Sequence, residues 1–199
     1  MSEKKREGYL RQVFITQTNG YINVRDKREF WQEVSNEFKG EFKISHNSGN
    51  ELEILKIYIP YKNWKIKLTE SDTKPLKFEI SFVSDVDYKL IIEYEDSIEK
   101  ILKRLGKREV EVGNSIFDAK YLINSSDSEM ARRIVNQDVI ENFIKYNIYS
   151  LSYTTDLIKQ ASKLISVISR TIDDKSIIEE LIRFHMRIID NLKELMLIK

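Results

Sequence analysis

The sequence predicts an α+β fold: an antiparallel β-meander flanked by helices, followed by a smaller α/β portion that ends in a long amphipathic helix. Three observations carry this expectation. Between Phe42 and Phe82 apolar and polar residues alternate with a period of two, as Leu76, Phe78, Ile80 and Phe82 do against Lys77, Glu79 and Ser81. That period lets a strand bury one face and wet the other. The connections are short runs of turn residues, such as His46-Asn47-Ser48-Gly49-Asn50 and Glu70-Ser71-Asp72-Thr73-Lys74, which favour hairpins. Near the end of the chain Ile178, Leu181, Ile182, His185, Ile189, Leu192 and Leu195 recur at helical spacing, the stripe of a helix lying on a core.

Taken in order, Met1–Glu7 reads as a frayed end, and Tyr9–Val24 as a short strand or helix broken at Asn19-Gly20. Asp26 and Glu29 have capping-box spacing. Phe30, Trp31, Val34 and Phe38 follow as an apolar face, and Gly40 is placed to end the helix. Strands are expected near Glu41–Ser45, Leu52–Ile59, Trp64–Thr69, Pro75–Val83 and Tyr88–Tyr94, with a bulge where the alternation slips at Ile54-Leu55. Asp96 or Ser97 opens a short helix that Gly106 stops.

In the second half Ile116–Ile123 reads as a strand, and Ser126 with Glu129 as a capping box for a helix through Val135. Gln137–Lys145 reads as a second helix after a break at Asn136, and Tyr149–Thr154 as a strand. Residues 157–172 fit a helix through Leu157, Ala161, Leu164, Ile168 and Ile172. Leu164–Arg170 is also rich in β-branched residues, and the reading here is a strand near Leu164–Ser169. Asp173 or Asp174 caps the closing helix. Lys107–Asn114 divides a helix-plus-sheet portion, 1–106, from a strand–helix portion, 107–199, the two being separate units or one continuous domain.

Composition limits the chemistry. The 199 residues can bury a real core. Lys plus Arg number 33 against 32 Asp plus Glu, a net charge of +1, so the strong basic excess of a dedicated nucleic-acid binder is missing. With no cysteine, disulfides, thiolate nucleophiles and zinc–thiolate sites are out of reach, and a reducing, cytoplasmic setting is expected. No apolar run approaches the roughly 18 residues of a spanning helix. Six glycines offer little for a phosphate cradle.

No catalytic residue, cofactor site or metal site is assigned. His46 reads as a solvated turn residue and His185 as a core histidine satisfied by one partner. Asp85, Asp87, Glu93, Glu95 and Asp96 cluster at strand ends without the spacing of a calcium loop. Asp127, Glu129, Asp173 and Asp174 belong to helix starts. One surface stands out. From Ile54 to Thr69 there is no acid but there are Lys56, Lys62, Lys65 and Lys67, with Tyr58, Tyr61 and Trp64 among them. Alternation turns Lys56, Tyr58, Lys65 and Lys67 outward, a face that can meet phosphates or anionic headgroups. Glu53, Glu70 and Glu79 should cancel part of its field.

The stretch from Val112 through Phe117-Asp118, Tyr121 and Ile123 into Asp127, Ala131-Arg132-Arg133 and Val135 resembles a segment of bacterial proteins grouped as a domain of unknown function. There an "FD…F/Y" strand leads into a "D…AR…L" helix. The likeness spans about Gly113–Leu195. It implies no activity and carries over no functional residue. Many proteins of that group are membrane-anchored.

The functional expectation is a non-enzymatic module that binds a protein partner or self-associates. The alternative is a module contacting anionic lipid or nucleic acid through Lys56, Tyr58, Lys65 and Lys67. A third reading is a carboxylate-based or metal-assisted enzyme whose acids converge only in the fold.

Overall fold

A computed structural model describes residues 24–46, 53–94, 110–168, 172 and 174–199. The expectations for 1–23, for the His46–Asn50 turn beyond His46 and for the helix near 96–105 lie outside these residues.

The described elements run α1 (Val24–Glu37), β1 (Glu41–His46), β2 (Glu53–Tyr61), β3 (Trp64–Ser71), β4 (Lys74–Val83), β5 (Lys89–Tyr94), α2 (Ser115–Asp118), β6 (Tyr121–Ser125), α3 (Ser128–Ile134), α4 (Gln137–Tyr146), β7 (Ile148–Asp156), β8 (Ala161–Ile168) and α5 (Lys175–Glu194). The strands form one eight-stranded sheet in the order β1-β2-β3-β4-β8-β7-β5-β6, every pairing antiparallel. The α+β class is as expected, and β1–β4 is the meander. The fifth strand departs from it. β5 leaves β4, crosses the sheet and pairs with β7 and β6, while β8 takes the place beside β4. Strand order depends on which edges meet in space, and local alternation carries no trace of that.

A row of cross-strand partners defines the covered layer. Phe42, Ile57, Leu68, Phe78, Ser166, Leu151, Ile92 and Ile123 lie side by side across the whole sheet on one face. All except Phe42 are buried, and Phe42 packs at the margin of the core. Each fully buried Ile, Leu or Phe contributes about 1.5–3 kcal/mol. The described helices cover this face. α5 lies over the centre, where His185 stacks on Phe78 with ring centroids 3.9 Å apart. α1 packs on β1, β2 and α5; α3 and α4 also touch α5; Phe117 of α2 packs on Tyr121 of β6. Ser162 and Ser166, small residues buried on this face, leave room for the large side chains around them.

Several local expectations are corrected. α1 begins at Val24, so Asp26 lies inside its first turn, where an acid complements the helix dipole, and does not cap it. After α1 the left-handed residue is Lys39 (φ 51°), not Gly40. Gly40 is required for another reason: a Cβ there would lie 2.9 Å from the Tyr58 carbonyl oxygen on β2. β2 pairs without a register shift on both sides, and the irregularity falls in β3 between Thr69 and Ser71. Ile54 is simply an outward-facing isoleucine. The strand expected over Ile116–Ile123 splits into α2 and β6, because Asn114 Oδ1 accepts from Phe117 N (3.0 Å) and starts a helical turn.

The cap of α3 is Asp127, whose Oδ1 accepts from Glu129 N and Met130 N at 2.9 and 3.0 Å. Ser126 instead ties β6 to β5, its Oγ accepting from Lys89 N at 3.0 Å. Asn136 caps α4 and Asp174 caps α5. The choice over 157–172 resolves to strand: β8 spans Ala161–Ile168, and its pairing on both sides satisfies the backbone that a helix would have satisfied internally.

Candidate functional site

The opposite face of the sheet carries a pair of rows. One runs Lys43, Lys56, Thr69, Lys77, Val167, Ser150, Glu93, Leu122; the other runs Glu41, Tyr58, Lys67, Glu79, Ile165, Ser152, Ile91, Asn124. No described helix lies over the β1–β4 part of these rows, whereas at the β5–β6 end Leu122 and Asn124 are buried and so is Glu93 Oε2. By the same alternation Lys65, Lys89 and Lys163 belong to this bare face. Its lysines therefore come from β1, β2, β3, β4, β5 and β8, against the acids Glu41, Glu79, Glu93 and Asp156.

All four residues singled out in the sequence sit here. Lys65 is exposed, and Lys56, Tyr58 and Lys67 are half-buried by their neighbours. Tyr58 faces Lys67 directly across the β2–β3 ladder and has the Lys43 ammonium 5.5 Å from its ring centre. The other members of the segment belong elsewhere. Trp64 is buried on the helix side with Lys193 of α5 over its ring at 5.4 Å. Tyr61 donates to Asp190 of α5 at 2.8 Å, and Lys62 reaches the same carboxylate at 2.5 Å.

The three acids expected to weaken the patch separate in the same way. Glu53 turns to the helix side and pairs with Arg28 of α1. Glu70 is buried beneath α1, 3.3 Å from Lys27 Nζ. Glu79 alone stays on the bare face, and three lysines converge on it: Lys77 Nζ at 2.9 Å, Lys163 Nζ at 3.4 Å and Lys67 Nζ at 3.9 Å. The hydrogen bond from Lys77, opposed by burial, holds the Glu79 carboxyl below the usual range. Lys77 follows from alternation along β4. Lys163 does not, since it reaches the cluster only because β8 pairs with β4; its one sequence signal is its place between Ser162 and Leu164 in an alternating run.

Toward β5 and β6 the bare face becomes less charged. Ile91, Ile165 and Val167 are half-buried, with Ser150 and Ser152 between them. Glu93 is half-buried there too, and burial pushes its carboxyl above the usual range. At the end of the sheet Val83 on β4 is 57% exposed, and Ser84 N donates to Gln160 O at 3.0 Å, bringing the β7–β8 turn alongside. In that turn Ile158 is 97% exposed and Leu157 nearly half exposed. A lysine field on β1–β4 thus grades into an apolar zone.

The histidines do not converge. His46 ends β1, opposite Glu53, and is exposed; it is a strand residue, where the sequence suggested a turn. His185 is buried on α5 as expected, its Nδ1 donating to the Leu181 carbonyl at 2.7 Å. Among the described residues no three His, Asp or Glu side chains are placed to share a metal ion. A groove of about 260 Å³ lies between α4 and α5. Its charges are matched internally: Lys145 with Glu180 at 2.9 Å, Arg183 with Glu179 at 3.1 Å, Arg187 with Asp138 at 2.9 Å. No helix among the described residues is long and apolar enough to cross a membrane.

No protein-family model matches the chain, and no curated protein matches it in sequence. Among solved structures the fold is similar to that of the mycobacterial trehalose monomycolate transport factor A, TtfA. The TM-score is 0.53 at 9% identity, over 84% of this chain and 95% of that one. At that identity the likeness is one of fold.

Proposed function

We propose that the protein is a non-enzymatic interaction module that docks an acidic partner protein on the bare face of its sheet. The observation that carries this reading is the segregation of layers: all described helices cover one face, while the other presents lysines grading into half-buried aliphatic residues. A protein interface combines an apolar zone with a charged rim in this way, and lysines steer an acidic partner toward it. Two features favour protein over nucleic acid. Tyr58 is the one aromatic side chain among the paired residues of this face, too few for a stacking platform. Glu41 and Glu79 also stand where a phosphate backbone would run. The fold of a protein described as a transport factor is compatible with a role other than catalysis, though likeness at 9% identity brings no partner with it.

The probe is a fluorescein-labelled oligo-glutamate peptide, read by anisotropy at low and physiological salt. The expected result is binding that weakens with salt and falls about tenfold or more in the Lys56→Glu/Lys65→Glu double variant. Both side chains lie on the bare face away from the core, so the variant should melt as the wild type does. Unchanged peptide binding in that variant would sink the reading. So would binding to phosphatidylserine vesicles or single-stranded DNA in the absence of peptide binding, which would point to the lipid or nucleic-acid alternative.

A further inference from the structure

We infer that Glu79 is a built-in competitor for the partner's carboxylate, holding the lysine cluster of the bare face in a self-occupied state that an acidic side chain of the partner displaces. The inference rests on the docking reading above and names the spot where the partner is anchored.

The argument begins with charge balance. One carboxylate gathers three ammonium groups, from Lys67, Lys77 and Lys163 at 3.9, 2.9 and 3.4 Å. A carboxylate present only to neutralise β4 would need one of them. Two positive charges are left without a counter-ion within the cluster, and like charges held this close repel. The neighbouring acids among the described residues do not make up the difference. Glu41 is held by Lys43 at 2.8 Å and Asp156 by Lys159 at 2.7 Å. Glu93 lies on β5, separated from β4 by β8 and β7.

The grip on Glu79 is also unequal. Lys77 makes the short contact through Oε2, whereas Lys67 and Lys163 reach the other oxygen from longer distances. These two come from β3 and β8, on either side of β4 and so about 10 Å apart, and their long side chains already converge on one oxygen from opposite sides. They are therefore placed to turn outward and clasp an incoming carboxylate between them while Lys77 keeps Glu79. Tyr58, directly across from Lys67, can add a hydroxyl donor. The Glu79 side chain is only 19% exposed, so it sits beneath the lysine ammonium groups and leaves their outer sides free. A carboxyl held below its usual range stays charged at neutral pH, so it competes under all ordinary conditions.

The test compares oligo-glutamate binding to wild-type protein and to Glu79→Gln, with thermal melting as a check on folding. Removing the competing charge should tighten binding about three- to tenfold at low salt. Unchanged or weaker binding in a folded Glu79→Gln protein overturns the inference. If that variant does not fold, the readout passes to Lys67→Met/Lys163→Met, which leaves Glu79 with Lys77. A loss of about tenfold supports the anchor, and unaltered affinity overturns it. The two levels separate cleanly: loss of binding in Lys56→Glu/Lys65→Glu without tightening in Glu79→Gln refutes the competitor and spares the docking face. Indifference of the peptide to Lys56 and Lys65 removes the docking face itself.

Discussion

His185 is a titratable ring held neutral inside the apolar core, and its protonation is measurable as a pH-dependent loss of stability. Its ring is fully buried, stacked on Phe78 at 3.9 Å and edge-on to Phe184 at 5.2 Å. Nδ1 is used by the Leu181 carbonyl, which can only accept, so the neutral ring carries its proton there and leaves Nε2 as an unpartnered acceptor. Protonation would place a charge in the apolar layer with no carboxylate among the described residues close enough to offset it, and burial lowers the pKa to about 4. In the unfolded chain the ring titrates near its ordinary value of about 6.5. Between these values the unfolded state binds more protons than the folded one, so stability rises with pH. The contribution is complete above about pH 6.5 and is lost as pH falls toward 4.

Linkage between those two values gives a loss of about 2 kcal/mol on going from pH 7 to pH 5, and about 3 kcal/mol by pH 4. His185→Phe keeps a flat ring on Phe78 and removes the titration. Urea unfolding at pH 7, 6 and 5 should show the wild type losing stability faster than the variant by that margin. Any constant offset from repacking or from deleting the unpaired Nε2 cancels in the comparison. If the two proteins lose stability in parallel from pH 7 to pH 5, the ring is charged or solvated in the native state and the reasoning fails.

Two further outcomes probe the same frame. Phe78→Ala removes a fully buried ring from the centre of the sheet and the platform beneath His185; it should cost about 3–5 kcal/mol in denaturant unfolding. Gly40→Ala forces a methyl group to within 2.9 Å of the Tyr58 carbonyl oxygen where α1 meets β2. It should lower the melting temperature, equivalent to about 1–3 kcal/mol, whereas a left-handed requirement at this position would have made Asn a tolerated substitute. The binding experiments on Lys56, Lys65 and Glu79 are checked by peptide anisotropy as set out above.

The alternation at Trp64–Leu68 and Leu76–Phe82 was readable because a side-chain period of two is a local property of a strand, and the burial of Trp64, Ile66, Leu76, Phe78, Ile80 and Phe82 follows it residue by residue. The stripe on α5 was readable for the same reason at a period of 3.6, His185 included. Over residues 116–123 the pattern is ambiguous, because Phe117, Tyr121 and Ile123 are apolar at strand-like intervals. A single hydrogen bond from Phe117 N to the Asn114 side chain decides that the first of them turns in a helix. Ser126 lost the capping role to Asp127 by one residue of register, both side chains being able to accept.

By itself, then, the sequence determined the inward and outward faces of β2–β4 and of α5 and the strand over Ala161–Ile168, since periodicity and turn chemistry act over a few neighbouring residues. Tertiary structure alone decided that β8 slots in beside β4, that β5 moves to the far side of the sheet, and that Glu53 and Glu70 turn to α1 while Glu79 stays with the lysines. Those outcomes depend on pairings between residues far apart in the chain, such as Glu79 with Lys163. The energies that select them reside in contacts which exist only once the sheet has closed.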